Sequence, residues 1–370
     1  MHVPCYAGMH TLNGNGEVTG AFQIKDWGFT NTPLALTNSC SLGIVYHTIW
    51  QHTLALAKAR GDAPRQLSRA YGTPVVGETA DWWLNDVHDS ALPASVVHEA
   101  LRAAYANGGQ REVLEGQHGG GAGMTCHMFP GGTGTSSRLV DGERDGATVA
   151  GRYTVGVICQ SNYGHKPYLT IGGVPVGKLL VNAAAANEAA KEQERSVGGK
   201  LDDGSIVIYI MCGSPPPSPD HPPLAREPYP GLTRASFPPH RTDAPMLPHQ
   251  LVRLAQRAGV GLAQVGGHNV GRNSSGDIFL ALSSANATDE KLAGPTPDHR
   301  QPRVEINEVR ALKNESIDAL FRAASEATEE AILNSIVAGR QGRVTWDGNF
   351  VEGLPVDEVR ELLAKYLIKV

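Results

Sequence analysis

Apolar residues recur at intervals of three and four positions in several stretches of the chain, which is the spacing of one face of an α-helix. The pattern is clear where Leu251, Leu254 and Leu262 follow Pro248, since proline is tolerated in a first helical turn. Glycines follow several of these stretches, as is common at helix ends. The pattern predicts helices over residues 42–59, 95–106, 183–193, 248–265, 316–337 and 356–366.

Shorter apolar runs bounded by turn residues predict β-strands. They cover residues 22–24, 34–37, 153–160, 206–211 and 275–283. The runs over 153–160 and 206–211 are apolar without a polar face, which predicts fully buried strands. Helices and strands come in groups and not in strict alternation, which favours helices layered on sheets of antiparallel or mixed strands.

Composition and charge exclude several classes of protein. The chain has 370 residues, 41% of them hydrophobic, which is enough for a sizeable core. The net charge of −5 gives no basis for binding nucleic acid or an anionic membrane, and no apolar run is long enough to span a bilayer. The start of the chain lacks the charged and apolar segments of a secretory signal.

The five cysteines are far apart and show no C-x-x-C spacing, which argues against a disulfide framework or a structural zinc site. A reducing, cytoplasmic compartment is therefore expected.

The turn that leads into the strand over 275–283 is the main candidate for chemistry. Residues 271–277 read GRNSSGD, which places Ser275 at the mouth of a buried strand, beside a glycine that allows close approach of a backbone or a substrate. Serine and glycine are also ordinary loop residues, so a tight loop entering a core strand is the alternative.

Familiar catalytic motifs are absent from the sequence. There is no G-x-S-x-G elbow and no H-E-x-x-H motif, and the glycine-rich turns at 119–123 and 131–135 lack the Gly-Lys-Ser/Thr ending of a phosphate cradle. One mechanism requires neither a histidine nor a metal. If the peptide bond before Ser275 is cut, the new α-amine, with a pKa of about 7.7–8.0, acts as the base for the hydroxyl of the same residue.

Many segments in the same order resemble the DmpA/BapA-type aminopeptidases, a family of self-processing N-terminal-nucleophile-like hydrolases that includes L-aminopeptidase D-amidase/esterases and β-aminopeptidases. The matching segments lie at residues 7–20 (AGMHTLNGNGEVTG), 32–38 (TPLALTN), 115–124, 131–138 (GGTGTSSR), 154–157, 162–164 (NYG), 173–177, 242–251, the turn around Ser275, and 327–334 (ATEEAILN).

The resemblance implies an α/β (α+β) architecture, an αββα four-layer sandwich of the DmpA/ornithine-acetyltransferase-like, N-terminal-nucleophile-hydrolase-like type. It implies a single domain over residues 1–370, cut into an α-chain of 1–274 and a β-chain of 275–370. It also implies release of an N-terminal residue from small peptides, amides or esters. The family uses no metal or organic cofactor and usually assembles as a tetramer of processed pairs.

The resemblance also assigns residues to roles. Ser275 matches the nucleophile, and the bond between Ser274 and Ser275 is the cleavage site. Glu115 matches an acidic position that would grip the substrate ammonium, Asp243 an Asn or Asp near the oxyanion, and Glu315 an acidic residue that would orient the new amine. The lysine at position 313 departs from the small polar residue expected there.

Two further departures from the family pattern stand out. Family members usually carry some tens of residues before the segment that starts here at Met1, so some of their sheet strands are expected to be absent. Residues 214–240 are crowded with prolines and are predicted to be an exposed, irregular insertion near the substrate entrance. Two alternatives to the hydrolase stay open: an acyltransferase on the same scaffold, and an unprocessed homologue with a binding or assembly role.

Overall fold

A computed structural model of the chain describes residues 4–59, 61, 72–106, 113–144, 147–188, 204–212, 244–266, 271–286, 306 and 308–367. The predicted insertion at 214–240 and the candidate Asp243 lie outside the described residues. None of the described helices is both long and apolar enough to cross a membrane.

A six-stranded sheet forms the centre of the fold. Its strands are β1 (Cys5–Gly14), β2 (Phe29–Thr30), β7 (Gly132–Arg144), β8 (Ala147–Asn162), β9 (Ser205–Cys212) and β10 (Gly276–Ser283). Their order in the sheet is β2-β1-β10-β9-β8-β7, and every pair is antiparallel except β9 and β10. The β10 strand is buried along its whole length because β1 and β9 flank it and other layers cover both of its faces.

Two helices cover one face of this sheet. Helix α5 (Pro248–Val265) packs on β1 and β10, and helix α6 (Asp318–Ala338) packs on β7 and β8. The close approach of α5 to β1 depends on Gly8, because a Cβ atom there would lie 2.4 Å from the backbone nitrogen of Val252.

A second layer of sheet covers the other face. Strands β3 (Leu34–Asn38) and β4 (Val75–Thr79) pair in parallel and pack on Val207, Tyr209 and Leu280 of the large sheet. Helices α2 (Leu42–Ala59) and α3 (Ala94–Ala106) pack against the far side of this pair. The layers therefore run helix, sheet, sheet, helix, and the αββα architecture expected from the resemblance is confirmed.

The remaining elements lie outside these four layers. They are helices α1 (Ala21–Trp27), α4 (Val176–Glu188) and α7 (Val356–Tyr366), and the short strands β5 (Thr125–Cys126), β6 (Phe129–Pro130), β11 (Arg343–Val344) and β12 (Phe350–Val351).

Most of the predicted elements are confirmed, with some exceptions. The strand predicted over 22–24 is wrong, because those residues lie in α1, where Ile24 is buried on one face and Phe22 is exposed. The turn predicted over 131–135 is largely the start of β7. The helix predicted over 183–193 begins earlier, at Val176.

Candidate active site

Ser275 immediately precedes β10 and closes a tight turn. Its backbone N–H donates a 2.8 Å hydrogen bond to the carbonyl oxygen of Arg272. The next residue, Gly276, lies opposite Gly14 of β1, and a Cβ atom at position 276 would come within 2.7 Å of the Cα atom of Gly16. Glycine is needed here because two backbones meet at the point where the turn enters the strand.

Asp277 shares a face of the strand with Ser275, since side chains two residues apart point the same way. The hydroxyl of Ser275 donates a 2.8 Å hydrogen bond to Oδ1 of Asp277, while Oδ2 has no hydrogen-bond partner among the described residues. Both side chains are buried; that of Ser275 is 3% exposed. Burial raises the pKa of Asp277 to about 6, and the hydrogen bond from Ser275 opposes this shift. A hydroxyl and a carboxyl of raised proton affinity therefore meet at the start of β10.

Two asparagines from the end of β1 hold the turn. The side-chain amide of Asn13 donates to the carbonyl oxygens of Arg272, at 2.7 Å, and of Ser275. The side-chain amide of Asn15 donates to the carbonyl oxygen of Ser274 at 2.8 Å. The backbone N–H of Asn15 donates to the carbonyl oxygen of Ser275 at 3.2 Å. The carbonyl on each side of the Ser274–Ser275 bond is thus bound by groups about 260 residues earlier in the chain.

Tyr163 lies close to Asp277 beyond the end of β8. Burial raises the pKa of Tyr163 well above its usual value, and the neighbouring Cys126, Cys159 and Asp277 add to the shift in that order. The ring of His127 packs edge-on against the Tyr163 ring at 5.1 Å between centroids, and burial lowers the pKa of His127 to about 4. Neither side chain supplies a positive charge at neutral pH, which is consistent with the raised pKa of Asp277.

Glu115 lies beside β7, the edge strand of the large sheet, and not beside β10. Its carboxylate accepts hydrogen bonds from the backbone N–H and the hydroxyl of Thr135, at 2.8 and 2.6 Å. Because β7 stands three positions from β10 in the sheet, at about 4.8 Å per strand, the two residues are separated by roughly 14 Å or more. The structure does not bring Glu115 to Ser275.

Glu315 lies near the other end of β10. It is exposed in a short turn at Asn314–Ser316, and the adjoining Leu312 donates its N–H to the carbonyl oxygen of Pro245. Ala244, next to Pro245, accepts a hydrogen bond from Ser283, the last residue of β10. In the continuous chain the length of β10, about 25 Å for 8 residues, separates this region from Ser275. The roles assigned to Glu115, Asp243 and Glu315 stay predictions.

Comparison with known proteins identifies the family. Residues 1–347 match the model of Peptidase family S58. The chain belongs to peptidase family S58. The chain is 36% identical to β-peptidyl aminopeptidase BapA of Sphingosinicella microcystinivorans, over 98% of this chain and 76% of that protein, and 33% identical to BapA of Sphingosinicella xenopeptidilytica, over 96% and 74%. The S58 chain is therefore a hydrolase of an aminopeptidase family.

Solved structures support the same assignment. A β-aminopeptidase from Burkholderia sp. superposes with a TM-score of 0.71 at 36% identity, covering 99% of the S58 chain and 83% of its own. The L-aminopeptidase D-Ala-esterase/amidase of Ochrobactrum anthropi, described as a variant of the Ntn hydrolase fold, superposes with a TM-score of 0.67 at 30% identity, covering 98% and 82%. The predicted relationship to the DmpA/BapA-type enzymes is confirmed.

Sequence reasoning overlooked three residues that contact the turn of the S58 chain. Asp277 was accessible to prediction, because its distance of two residues from Ser275 places both on one face of a strand. Asn13 and Asn15 lie in a segment whose pattern signals only a turn. Their contacts with residues 272–275 arise from the pairing of β1 with β10, which joins distant parts of the chain.

Proposed function

We propose that this chain is a self-processing serine aminopeptidase that is cut between Ser274 and Ser275. The observation that carries the proposal is the hydrogen bond from the Ser275 hydroxyl to the buried Asp277 carboxylate, at the point where a tight turn enters a core strand. The cut would produce chains of residues 1–274 and 275–370, with Ser275 as the first residue of the second chain.

After the cut, Ser275 would carry both the nucleophile and the base. Its free α-amine, with an unperturbed pKa of about 7.7–8.0, accepts the hydroxyl proton as the oxygen attacks the substrate carbonyl. The acyl group is then held as an ester on Ser275 until water releases it. In the continuous chain the hydroxyl is 3% exposed. Cutting would also free the turn at residues 272–274 to move away from it.

The names of the relatives support a proposal for the substrate class. Both curated relatives are named β-peptidyl aminopeptidases, and one solved structure is a β-aminopeptidase, whereas another is named for L-aminopeptidase and D-Ala-esterase/amidase activity. We propose that this chain releases N-terminal residues from small peptides, amides or esters and prefers those with a β-amino group. Rates with p-nitroanilides of β-alanine, L-alanine and D-alanine test this preference. We also propose that the processed pairs assemble as a tetramer, and mass photometry of the purified protein tests this.

Intact mass and N-terminal sequencing of the purified protein test the processing. Two chains, the smaller starting at Ser275, are expected for the wild type, and a single intact chain for Ser275→Ala. A wild-type chain that stays intact and inactive would favour the binding or assembly role. Faster acyl transfer to an added amine than to water would favour the acyltransferase.

A further inference from the structure

The base that we propose for the mature enzyme does not exist before the chain is cut. Before the cut, the nitrogen of Ser275 is a peptide amide engaged with the carbonyl of Arg272, so it cannot serve as a base. The uncut chain therefore needs another group to accept the hydroxyl proton and another to stabilise the oxygen of the carbonyl under attack. This inference rests on the proposed function, because it concerns how that cut is made.

In the described structure, one group contacts the carbonyl oxygen of Ser274 and another contacts the hydroxyl of Ser275. The bond to be cut belongs to the carbonyl of Ser274, and the side-chain amide of Asn15 lies 2.8 Å from that oxygen. A carbonyl oxygen can only accept a hydrogen bond, so the Asn15 nitrogen is the donor. The separation is that of donors that stabilise an oxyanion. On the other side of the bond, the attacking hydroxyl already donates to Asp277.

We propose that Asn15 and Asp277 form the processing site of the uncut chain, with Asn15 as the oxyanion donor and Asp277 as the general base. This site is separate from the machinery of the mature enzyme, in which the freed amine of Ser275 takes over as base.

The Ser275 oxygen bonds to the Ser274 carbonyl carbon while its proton passes to Oδ1 of Asp277, and the carbonyl oxygen becomes an anion bound by Asn15. The bond from that carbon to the Ser275 nitrogen then breaks, and the nitrogen takes the proton back from Asp277. The product is an ester between Ser274 and the Ser275 oxygen. Water hydrolyses the ester, which leaves a carboxylate on Ser274 and restores the hydroxyl of Ser275.

The surroundings of the two residues suit these tasks. Burial gives Asp277 a pKa of about 6, so it is ionised at neutral pH yet accepts a proton more readily than an exposed aspartate. The groups that face it are the Ser275 hydroxyl on its own strand and Tyr163 beyond β8, with Asn13 opposite it on β1. Asn15 is held in place by its own backbone N–H, which donates to the Ser275 carbonyl, and by the close contact of Gly16 with Gly276.

The test is the rate at which the newly made full-length chain is cut. The chain is made by cell-free synthesis, translation is stopped, and the cut is then followed by gel electrophoresis and intact mass. Asn15→Ala and Asn15→Asp are expected to slow the cut by roughly 10²–10³-fold, as loss of one oxyanion donor does. Asp277→Asn is expected to slow it by roughly 10²–10⁴-fold, the usual contribution of a general base. In the wild type the rate should rise as the pH passes through about 6, where Asp277 loses its proton.

A matched control comes from the other end of β10. Asn286 lies there, and its side chain exchanges hydrogen bonds of 3.0 and 3.1 Å with the backbone of Arg310. Asn286→Asp is expected to cut at the wild-type rate. Hydroxylamine provides a second readout, since it attacks the ester and leaves a hydroxamate on Ser274. The wild type should yield that product, and the Asn15 and Asp277 variants should yield it at the slowed rate.

The outcomes separate this inference from the proposed function. A wild-type chain that never cuts overturns the proposed function itself. A wild type that cuts, together with folded Asn15→Asp and Asp277→Asn variants that cut equally fast, overturns the processing site and leaves the aminopeptidase intact. Asp277→Asn removes a buried charge and keeps an acceptor for the hydroxyl, so we expect it to fold. It decides the matter even if the Asn15 variants do not fold.

Discussion

The two ends of β10 each carry a buried serine, and their surroundings differ sharply. At the far end, the hydroxyl of Ser283 donates to the carbonyl oxygen of Ala244 at 2.6 Å and accepts from the N–H of Ala285 at 3.3 Å. At the near end, the hydroxyl of Ser275 donates to a carboxylate whose other oxygen has no hydrogen-bond partner among the described residues. One serine completes a neutral network, and the other faces a buried ionisable group.

The difference shows how one strand supports both stability and chemistry. A buried polar group is normally fully hydrogen-bonded, because an unmade bond costs about 1–3 kcal/mol. The Ser283 end follows that rule. The Ser275 end departs from it at Asp277, whose pKa is also raised by burial, and strongly shifted pKa values are concentrated at functional sites. The comparison therefore predicts that substitutions at one end change processing, whereas those at the other change only stability.

The largest expected effect is at the serines themselves. Ser275→Ala is expected to abolish the cut and lower aminopeptidase activity by roughly 10⁴-fold or more, as loss of a nucleophile does. Ser283→Ala removes both hydrogen bonds of that hydroxyl, although the Ala244 carbonyl keeps the N–H of Met246 as a donor, and it should cost about 1–3 kcal/mol of stability without stopping the cut. Intact mass and denaturant unfolding measure the two quantities. A folded Ser283→Ala chain that fails to cut would contradict the comparison.

Asp277 should impose a pH dependence on stability. Its pKa is about 6 in the folded chain, against 3.8 for the ordinary carboxyl, so the folded state binds more protons between these values. Its favourable contribution is present in full below pH 3.8 and is lost as the pH rises through about 6. Asp277→Asn should therefore raise the unfolding free energy at pH 7 by up to about 3 kcal/mol, and the gain should shrink toward pH 4.

Denaturant unfolding measures this difference. Both proteins in the comparison carry Ser275→Ala, so that neither is cut. Removal of the hydroxyl, which holds the pKa of Asp277 down, should enlarge the difference. An equal gain from Asp277→Asn at pH 4 and pH 7 would argue against a buried carboxylate as its source.

Gly276 and its pairing partner Gly14 provide a test of close packing at the near end of β10. Gly276→Ala would place a Cβ atom 2.7 Å from the Cα atom of Gly16, where only backbone can yield, and should cost about 1–3 kcal/mol. Gly14→Ala meets its nearest atom, Cγ2 of Thr11, at 3.7 Å, an ordinary contact, and should be almost neutral. Unfolding midpoints of the two variants check the contrast. Similar losses for both would show that the Gly16–Gly276 contact is unimportant.

Much of the fold was predictable because it depends on local pattern. Helix α5 follows directly from its apolar spacing and its first-turn proline, and its bounds match the prediction. Strand β7 was missed because its glycines and serines signal a turn, whereas pairing with β8 along its length makes it a strand. Phe22 and Ile24 suggested a strand, but they lie in the short helix α1. Pairing with a neighbouring strand decided the structure of β7, whereas helix geometry over a few residues decided that of α1.

The candidate site was predictable only in part. The turn and the buried run that follows it identify Ser275 from local sequence. Asn15 contacts Ser274 from 259 positions away, and no local pattern records that pairing. Glu115 was assigned by resemblance, but its carboxylate binds Thr135 across the sheet from Ser275. Chemistry that depends on sheet register therefore becomes visible only with the structure.

The smallest expected effect concerns the support of the Asn15 loop. Glu78 accepts hydrogen bonds from the N–H of Glu17, at 2.9 Å, and from the hydroxyl of Ser39, and so anchors the segment that follows Asn15. Glu78→Gln loses a charge-assisted bond and should slow the cut by less than about tenfold, at a cost of about 1 kcal/mol. Asn286→Ala, which removes the contact with the Arg310 backbone at the Ser283 end, should not slow the cut at all. If both variants cut at the same reduced rate, the effect would come from general loosening of β10, and the two ends of the strand would not be functionally distinct.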